Sequence, residues 1–439
     1  MKKNLFGTDG IRGTVGQEPF SYNQLHQLGH AIARWAQHTY GQTPNILLGY
    51  DTRISCSFAK SALQSGLLMH PVTIHDAQII PTPALCQLLQ YSNQFDCGII
   101  ISASHNPYGD NGLKIIDRQK GKISHEDELA ITELYNQHND PKNYTTLGSV
   151  SYWPEGEQRY SEKLLSLFPP RFLEGKKIIL DCAHGATYRS APQIFRSFGA
   201  QTIVLNATPN GTNINQNCGA LYPAIIQKAV IEYSADAGFA FDGDGDRVIA
   251  INNYGAIKDG DDILALLLTH PSYSNEATVV GTSMTNQGFE IYINNNNKKL
   301  LRTAVGDKYI AEQLVHNKLL LGGEPSGHII ARDYLETGDG IFTALRIMET
   351  LILTNNHAMH TFKKFPQILI NVPVTIRKDL TLHPFASIIN EYKSKLQDGR
   401  LDVRYSGTEL LLRVMVETPD FTYTKTIGNQ LAQALKAYI

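Results

Sequence analysis

Ala237-Gly238-Phe239-Ala240-Phe241-Asp242-Gly243-Asp244-Gly245-Asp246-Arg247 passes in one step from an unbroken apolar run to alternating aspartate and glycine. The apolar half reads as a strand buried on both faces, the kind found in parallel or mixed sheets covered by helices. The acidic half places three carboxylates within five positions, a set that wants a hard cation. Along a straight strand alternate residues stand roughly 6.5 to 7 Å apart, too far for oxygens that must each lie about 2.0 to 2.1 Å from one magnesium. The two glycines supply the bend. An EF-hand would need Gly at the sixth position and Glu at the twelfth, where this chain has Arg247 and Asn253. A dinucleotide loop would need a third glycine where Val248 stands. Taken alone, the stretch also suits an acidic turn capped by Arg247.

The same grammar recurs on either side. Upstream, Ile46–Tyr50 and Cys97–Ile101 read as buried strands with a helix from Phe58 to Met69 between them; Lys177–Asp181 and Thr202–Leu205 flank a helix from Thr187 to Phe198. Downstream come a strand from Ala277 to Gly281 and a helix from Phe342 to Leu353. Strands alternating with helices imply an α/β class, and three such runs hint at duplicated domains without a clear residue-level repeat. The last piece holds Ile368–Val374, a helix near Ile388–Leu396, then Leu401–Arg404 and Leu411–Val416, which suggests a small α+β domain. The expected domains are 1–148, 149–250, 251–364 and 365–439. The polar, unperiodic run 135–144 approaches the first break.

Bulk properties agree with a multidomain globule: 439 residues exceed one core, and 42% apolar against 18% charged residues is far from a disordered composition. A formal net charge of -2 leaves no general electrostatic footprint for nucleic acid or anionic membrane. The five cysteines are scattered, without a C-x-x-C pair, and read as reduced thiols. With no apolar signal core at the start and no run of 18 apolar residues, a cytoplasmic location is expected.

Three more loops carry chemistry-bearing side chains. Ser102-Ala103-Ser104-His105-Asn106-Pro107 follows the strand Cys97–Ile101, where α/β sheets place their sites. It offers two hydroxyls and an imidazole, though loop serines commonly only bond the turn backbone. Lys114 begins the next apolar run and could face the same loop, but no G-x-S-x-G elbow supports serine-hydrolase chemistry. Gly322-Gly323-Glu324-Pro325-Ser326-Gly327-His328 clusters groups suited to sugar hydroxyls, or a satisfied structural turn. Arg404-Tyr405-Ser406-Gly407-Thr408-Glu409 with Arg413 joins two guanidinium groups to hydroxyls and a glycine, for which phosphate is the natural guest.

Together with Phe6-Gly7-Thr8-Asp9-Gly10-Ile11-Arg12-Gly13, these motifs in this order resemble the α-D-phosphohexomutase superfamily over the whole chain. The resemblance implies a four-domain α/β architecture, three similar α/β domains plus a small C-terminal α+β domain, around a central cleft. It implies Ser104 as phosphoserine, and one Mg²⁺ held by Asp242, Asp244, Asp246 and a phosphate oxygen on Ser104. It also implies a 1,6-bisphosphate sugar as intermediate. Lys114, His105 and Arg247 become candidates for proton transfer and charge stabilisation, with Lys114 first as base, and Arg12 a contact of the phosphoserine. Glu324, Ser326 and His328 would hold sugar hydroxyls; Arg404, Ser406, Gly407, Thr408 and Arg413 would grip the unreacting phosphate. The stretches Phe6–Gly10, Thr303–Asp307 and Arg413–Glu417 resemble the amino-sugar branch, which implies interconversion of glucosamine 6-phosphate and glucosamine 1-phosphate toward UDP-N-acetylglucosamine. Sister branches acting on mannose or glucose phosphates, and a metal-dependent sugar phosphatase, are the alternatives. Two departures stand out: Pro325 where that branch usually carries Gln, and Leu410 where Pro usually follows Glu. The expected partner is a phosphosugar, with no nucleic acid or membrane, on a monomer or homodimer.

Overall fold

The computed structural model of the chain describes residues 5–7, 9–118, 121–137, 146–396, 398–406 and 410–439. Gly407 and Thr408 of the expected phosphate loop, and most of the polar run 135–144, lie outside these residues. Each of the first three units is built on one plan. In the first, Asn45–Tyr50 lies between Thr73–Ile79 and Cys97–Ile101, parallel to both, and Cys97–Ile101 turns back antiparallel as Asp110–Asp117. In the second, Lys177–Asp181 lies between Gln201–Leu205 and Ala237–Phe241, which returns as Val248–Asn252. In the third, Thr278–Thr282 lies between Lys299–Thr303 and Leu321–Gly323, which returns as Ile329–Ala331. The duplication is thus visible in strand order and direction.

This plan decides where the chemistry goes. The third strand of each trio is apolar and fully buried, as in Cys97–Ile101 and Ala237–Phe241. Its antiparallel return leaves one loop at the carboxyl end of the sheet, where ligand sites collect. Those three loops are 102–109, 242–247 and 324–328. In the fourth unit the strands Gln367–Pro373, Leu411–Glu417 and Arg400–Tyr405 are all antiparallel, and its loop again joins two hairpin strands. Helices Phe385–Ser394 and Phe421–Lys436 complete this α+β piece.

Ile11–Thr14 pairs antiparallel with Asp110–Asp117 and thereby carries Arg12 to the first loop. Ser149–Tyr152 joins the first sheet beside Thr73–Ile79, and the second sheet runs on through Ile257–Lys258, so both sheets extend past the expected breaks at 148 and 250. One apolar core threads the first three units, including Leu47, Phe95, Phe195, Phe239, Val279, Phe289 and Leu345. A polar knot lies inside it: Tyr160 and Tyr334 hydroxyls each donate to Asp339 at 3.0 Å, and Gln87 Nε2 donates to Tyr334 at 2.8 Å. The fourth unit has a separate core, with Val372, Phe385, Leu412, Val414 and Leu431. All five cysteines are free and buried. No helix among the described residues is long and apolar enough to cross a membrane.

Candidate active site

The first two loops close on one another. Ser104 is fully buried and sits at φ 51°, a left-handed conformation uncommon for non-glycine residues. The turn aims its Oγ across the domain boundary, where it donates to Asp242 Oδ2 at 2.7 Å. Ser102, the rival hydroxyl, is turned inward: its Oγ donates to Asp51 Oδ2 at 2.6 Å and accepts the Ser104 amide at 2.9 Å. Gly243 permits the approach, since a Cβ there would stand 2.5 Å from the Ser104 carbonyl oxygen.

Asp242, Asp244 and Asp246 are buried and offer one ligand oxygen each within 4.8 Å of one another. Among the described residues, Asp244 Oδ1 and Asp246 Oδ1 are buried with no partner within hydrogen-bond length. Hard carboxylate oxygens converging in this way, two of them orphaned, fit a divalent cation of the magnesium class. Burial, then repulsion from Asp246 and Asp244, pushes the Asp242 carboxyl well above its ordinary range. Asp246 goes the other way: despite burial, Lys114, His328 and Arg247 hold it well below.

Lys114 lies 3.0 Å from Asp244 Oδ2, 3.1 Å from Asp246 Oδ2 and 3.4 Å from Asp9 Oδ2. Against its burial, these carboxylates raise the ammonium well above the ordinary lysine value. In this arrangement Lys114 is a fixed cation, and the role of base expected for it would require the carboxylates to be drawn off. His105 is placed differently. Its Nδ1 is 3.3 Å from Ser104 Oγ, and burial, with Arg247 and Arg12 adding repulsion, lowers it to about 4, so the ring is neutral at pH 7. Arg12 Nη1 donates to the Ala103 carbonyl at 2.6 Å and Nη2 pairs with Asp9, which ties the N-terminal motif to the serine loop.

In the third loop, Glu324 Oε1 accepts the Gly306 amide at 3.0 Å and Oε2 accepts Ser326 Oγ at 3.2 Å. His328, expected to hold a sugar hydroxyl, is turned toward the metal loop. It is buried, its Nε2 accepts the Gly338 amide at 3.1 Å, and its Nδ1 lies 3.6 Å from Asp246 Oδ1. Nε2 is thus engaged within the protein and Nδ1 faces the metal loop beyond hydrogen-bond length, and against burial Asp246, Asp307 and Glu324 raise its pKa. In the fourth loop, Arg404 Nε meets Asp402 Oδ2 at 3.1 Å across from Arg413 in the hairpin register, and the Ser406 carbonyl accepts Arg377 Nη2 at 2.8 Å.

Several contributors escape the motifs. Arg53, from the end of the Asn45–Tyr50 strand, binds the serine loop from below, and Asn215 Nδ2 donates to the Ser104 carbonyl at 2.8 Å. Thr82 Oγ1 donates to Asp244 Oδ2 at 2.7 Å. Lys122 bridges Asp9 and Asp307, joining the first and third units. Asp51-Thr52-Arg53 was findable by the same rule that singled out the other loops, since it too follows the carboxyl end of a buried strand.

Four models of the phosphoglucomutase/phosphomannomutase family match in order: α/β/α domain I at residues 3–142, domain II at 158–255, domain III at 259–368 and the C-terminal domain at 369–433. The chain is 41% identical over 450 residues to a phosphoglucosamine mutase of Nitrosococcus oceani, covering all of this chain and 98% of that one. A phosphoglucosamine mutase of Acinetobacter baumannii is 38% identical, with 99% of each covered. A phosphoglucomutase/phosphomannomutase family protein of Burkholderia thailandensis superposes with TM-score 0.81 at 20% identity, covering 99% of this chain and 97% of that one. The N-acetylphosphoglucosamine mutase of Aspergillus fumigatus, solved with GlcNAc-6P and magnesium, does so with TM-score 0.69 at 17% identity, covering 99% and 95%.

Proposed function

The chain belongs to the phosphoglucomutase/phosphomannomutase family, among its phosphoglucosamine mutases, and from that premise we propose that it interconverts glucosamine 6-phosphate and glucosamine 1-phosphate through a phosphorylated Ser104. The observation that carries the mechanism is the Ser104 hydroxyl, held 2.7 Å from the first aspartate of the acidic triad. Asp242, Asp244 and Asp246, with an oxygen of the serine phosphate, would hold Mg²⁺, which when bound neutralises charge on the transferring group. Ser104 hands its phosphoryl group to the sugar hydroxyl, giving the 1,6-bisphosphate, and takes the other phosphate back once the sugar has turned over. In each half, one P–O bond forms as another breaks, and the hydroxyl proton must leave.

His105 is the neutral group within reach of Ser104 Oγ, while Lys114 and Arg247 supply fixed positive charge beside the aspartates. Arg12 sets the loop, Glu324 and Ser326 offer acceptor and donor to sugar hydroxyls, and Arg404, Ser406, Gly407, Thr408 and Arg413 take the distal phosphate. The amino-sugar preference rests on the whole-length likeness to phosphoglucosamine mutases. A coupled assay with glucosamine, glucose and mannose 6-phosphates tests it. Preference for the amino sugar in kcat/KM is expected; preference for a neutral sugar would move the chain to a sister branch and direct attention to Pro325.

A further inference from the structure

Beneath the serine loop lies an ion pair with no exposure at either side chain, Asp51 with Arg53. A guanidinium carries five N–H donors in a rigid fork, and here every one is used. Nε donates to Asp51 Oδ2 at 2.9 Å. Nη1 donates to the Pro107 carbonyl, and to that of Asp110 at 3.1 Å. Nη2 donates to the carbonyls of Ser104 at 2.9 Å and Asn106 at 2.8 Å. One side chain thus gathers three carbonyls of the loop that bears the nucleophile and the first of the strand that follows it. Asp51 adds a second hold, because its Oδ2 takes the Ser102 hydroxyl whose oxygen receives the Ser104 amide.

We propose that Arg53, set by Asp51, is a positioning residue for phosphoryl transfer, acting through the backbone of Ser104. The inference rests on the reading of Ser104 as phosphate carrier. Its physical core is the left-handed φ of 51° at Ser104. An L-residue leaves that region readily unless its surroundings over-determine it. Here the carbonyl is gripped by Arg53 and by Asn215 from the second unit, and the amide by Ser102, so relaxation would break three hydrogen bonds at once. The same grip turns Oγ toward Asp242. The neighbouring residues stitch the segment to the second unit: Thr52 Oγ1 donates to the His184 carbonyl at 2.6 Å, and the Ile54 amide to that of Gly211 at 2.8 Å. Arg53 therefore fixes the serine loop in the frame of the aspartates it must face. In phosphoryl transfer, where catalysis is mostly positioning and electrostatics, a small misplacement of the nucleophile costs rate rather than binding.

Arg53→Lys keeps the charge beside Asp51 but has three donors on one atom and cannot span four carbonyls. Its kcat, per folded molecule, should fall at least about tenfold, with KM for glucosamine 6-phosphate within about twofold of wild type. Arg53→Gly should regain part of its kcat with added guanidinium ion, which leaves wild type unchanged. If Arg53→Lys does not fold, Asp51→Asn makes the test, keeping the volume while removing the charge that sets the Arg53 fork; a severalfold loss in kcat at unchanged KM is expected. Wild-type kcat in the variant that folds, or loss that follows only the folded fraction, overturns the proposal. Intact mass of wild type and Ser104→Ala separates the two readings. Phosphate present in the first and absent in the second upholds the carrier, so that an indifferent Arg53 variant then sinks this inference alone.

Discussion

Ser104 and Ser102 carry the same hydroxyl two residues apart, and their surroundings separate them. Ser104 faces the acidic triad and Ser102 faces Asp51, so Ser104→Ala should lose at least ~10³-fold in turnover, about 4 kcal/mol of barrier, and carry no phosphate by mass. Ser102→Ala should keep the phosphate and lose turnover modestly; the reverse pattern would move the nucleophile. The metal assignment has a readout besides activity, because three buried carboxylates gain most from a cation in the folded state. Magnesium should raise the melting temperature of wild type and leave that of Asp244→Asn nearly unmoved, and equal shifts in both would end the assignment. These chemistry-bearing residues were legible because each motif concentrates unusual side chains at a strand end. Asn215 and Lys122 were not, since what each does depends on which carbonyl or carboxylate another segment brings to it, and Arg53 showed in the sequence only its place after a strand end. The same limit explains His328 and Lys114: their residue types invite a sugar contact and a base, but only the folded packing shows them turned onto Asp246 and Asp244.

The strands and helices read from apolar runs and periodicity stand within the few residues by which ends vary, but helices such as Tyr22–Tyr40 and Phe421–Lys436 went unread. What short apolar runs do not encode is direction. The antiparallel return after each parallel trio, which sets all three loops, depends on pairing between distant segments. Loop-to-loop packing can be tested at Gly243, where an added Cβ would stand 2.5 Å from the Ser104 carbonyl and 2.7 Å from Asn215 Nδ2. Gly243→Ala should push the two loops apart, lower the melting temperature and depress turnover per folded molecule at least about tenfold, about 1.4 kcal/mol of barrier; unimpaired turnover would contradict the close approach. A second test concerns the helix Gly340–Thr354, capped by Asp339, whose Oδ1 accepts the Phe342 amide at 2.9 Å. Burial pushes this carboxyl up to about 6, against the hydrogen bonds of Phe342, Tyr160 and Tyr334. With the folded pKa above the unfolded value, the contribution is full below about pH 4 and is lost as pH rises through about 6. Between pH 5 and 7.5 wild type should lose about 1 kcal/mol relative to Asp339→Asn, which keeps a capping oxygen without the charge. Parallel denaturation midpoints across that range would refute the shift.

At the scale of the molecule, the first three units share one core and the fourth keeps its own, so three loops are locked together and the fourth depends on a polar joint. At that joint Arg400 Nη2 donates to the Thr285 carbonyl at 2.9 Å and pairs with the fully buried Glu417 Oε2 at 2.8 Å, while Nη1 reaches the Ser283 carbonyl. Asn286 Nδ2 completes it, donating to Glu417 Oε1 at 3.1 Å. The four-domain arrangement was legible from the order of the motifs, but this asymmetry was not, because it depends on which apolar faces meet. It has a kinetic consequence. Removing Arg400 leaves a buried carboxylate with its main countercharge gone and cuts two bonds to the third unit, so the fourth unit should sample orientations in which Arg404, Ser406 and Arg413 are out of place. Substrate then binds only the competent fraction, and the apparent affinity falls by that fraction. The groups around Ser104 lie in the other units and keep their geometry. Arg400→Gln should therefore raise KM for glucosamine 6-phosphate about tenfold, about 1.4 kcal/mol, with kcat within about threefold of wild type. Single-turnover loss of phosphate from the phosphoenzyme at saturating substrate should be as fast as in wild type. A fall in kcat at unchanged KM would show instead that the joint acts on the transfer step, and that the fourth unit is as firmly placed as the other three.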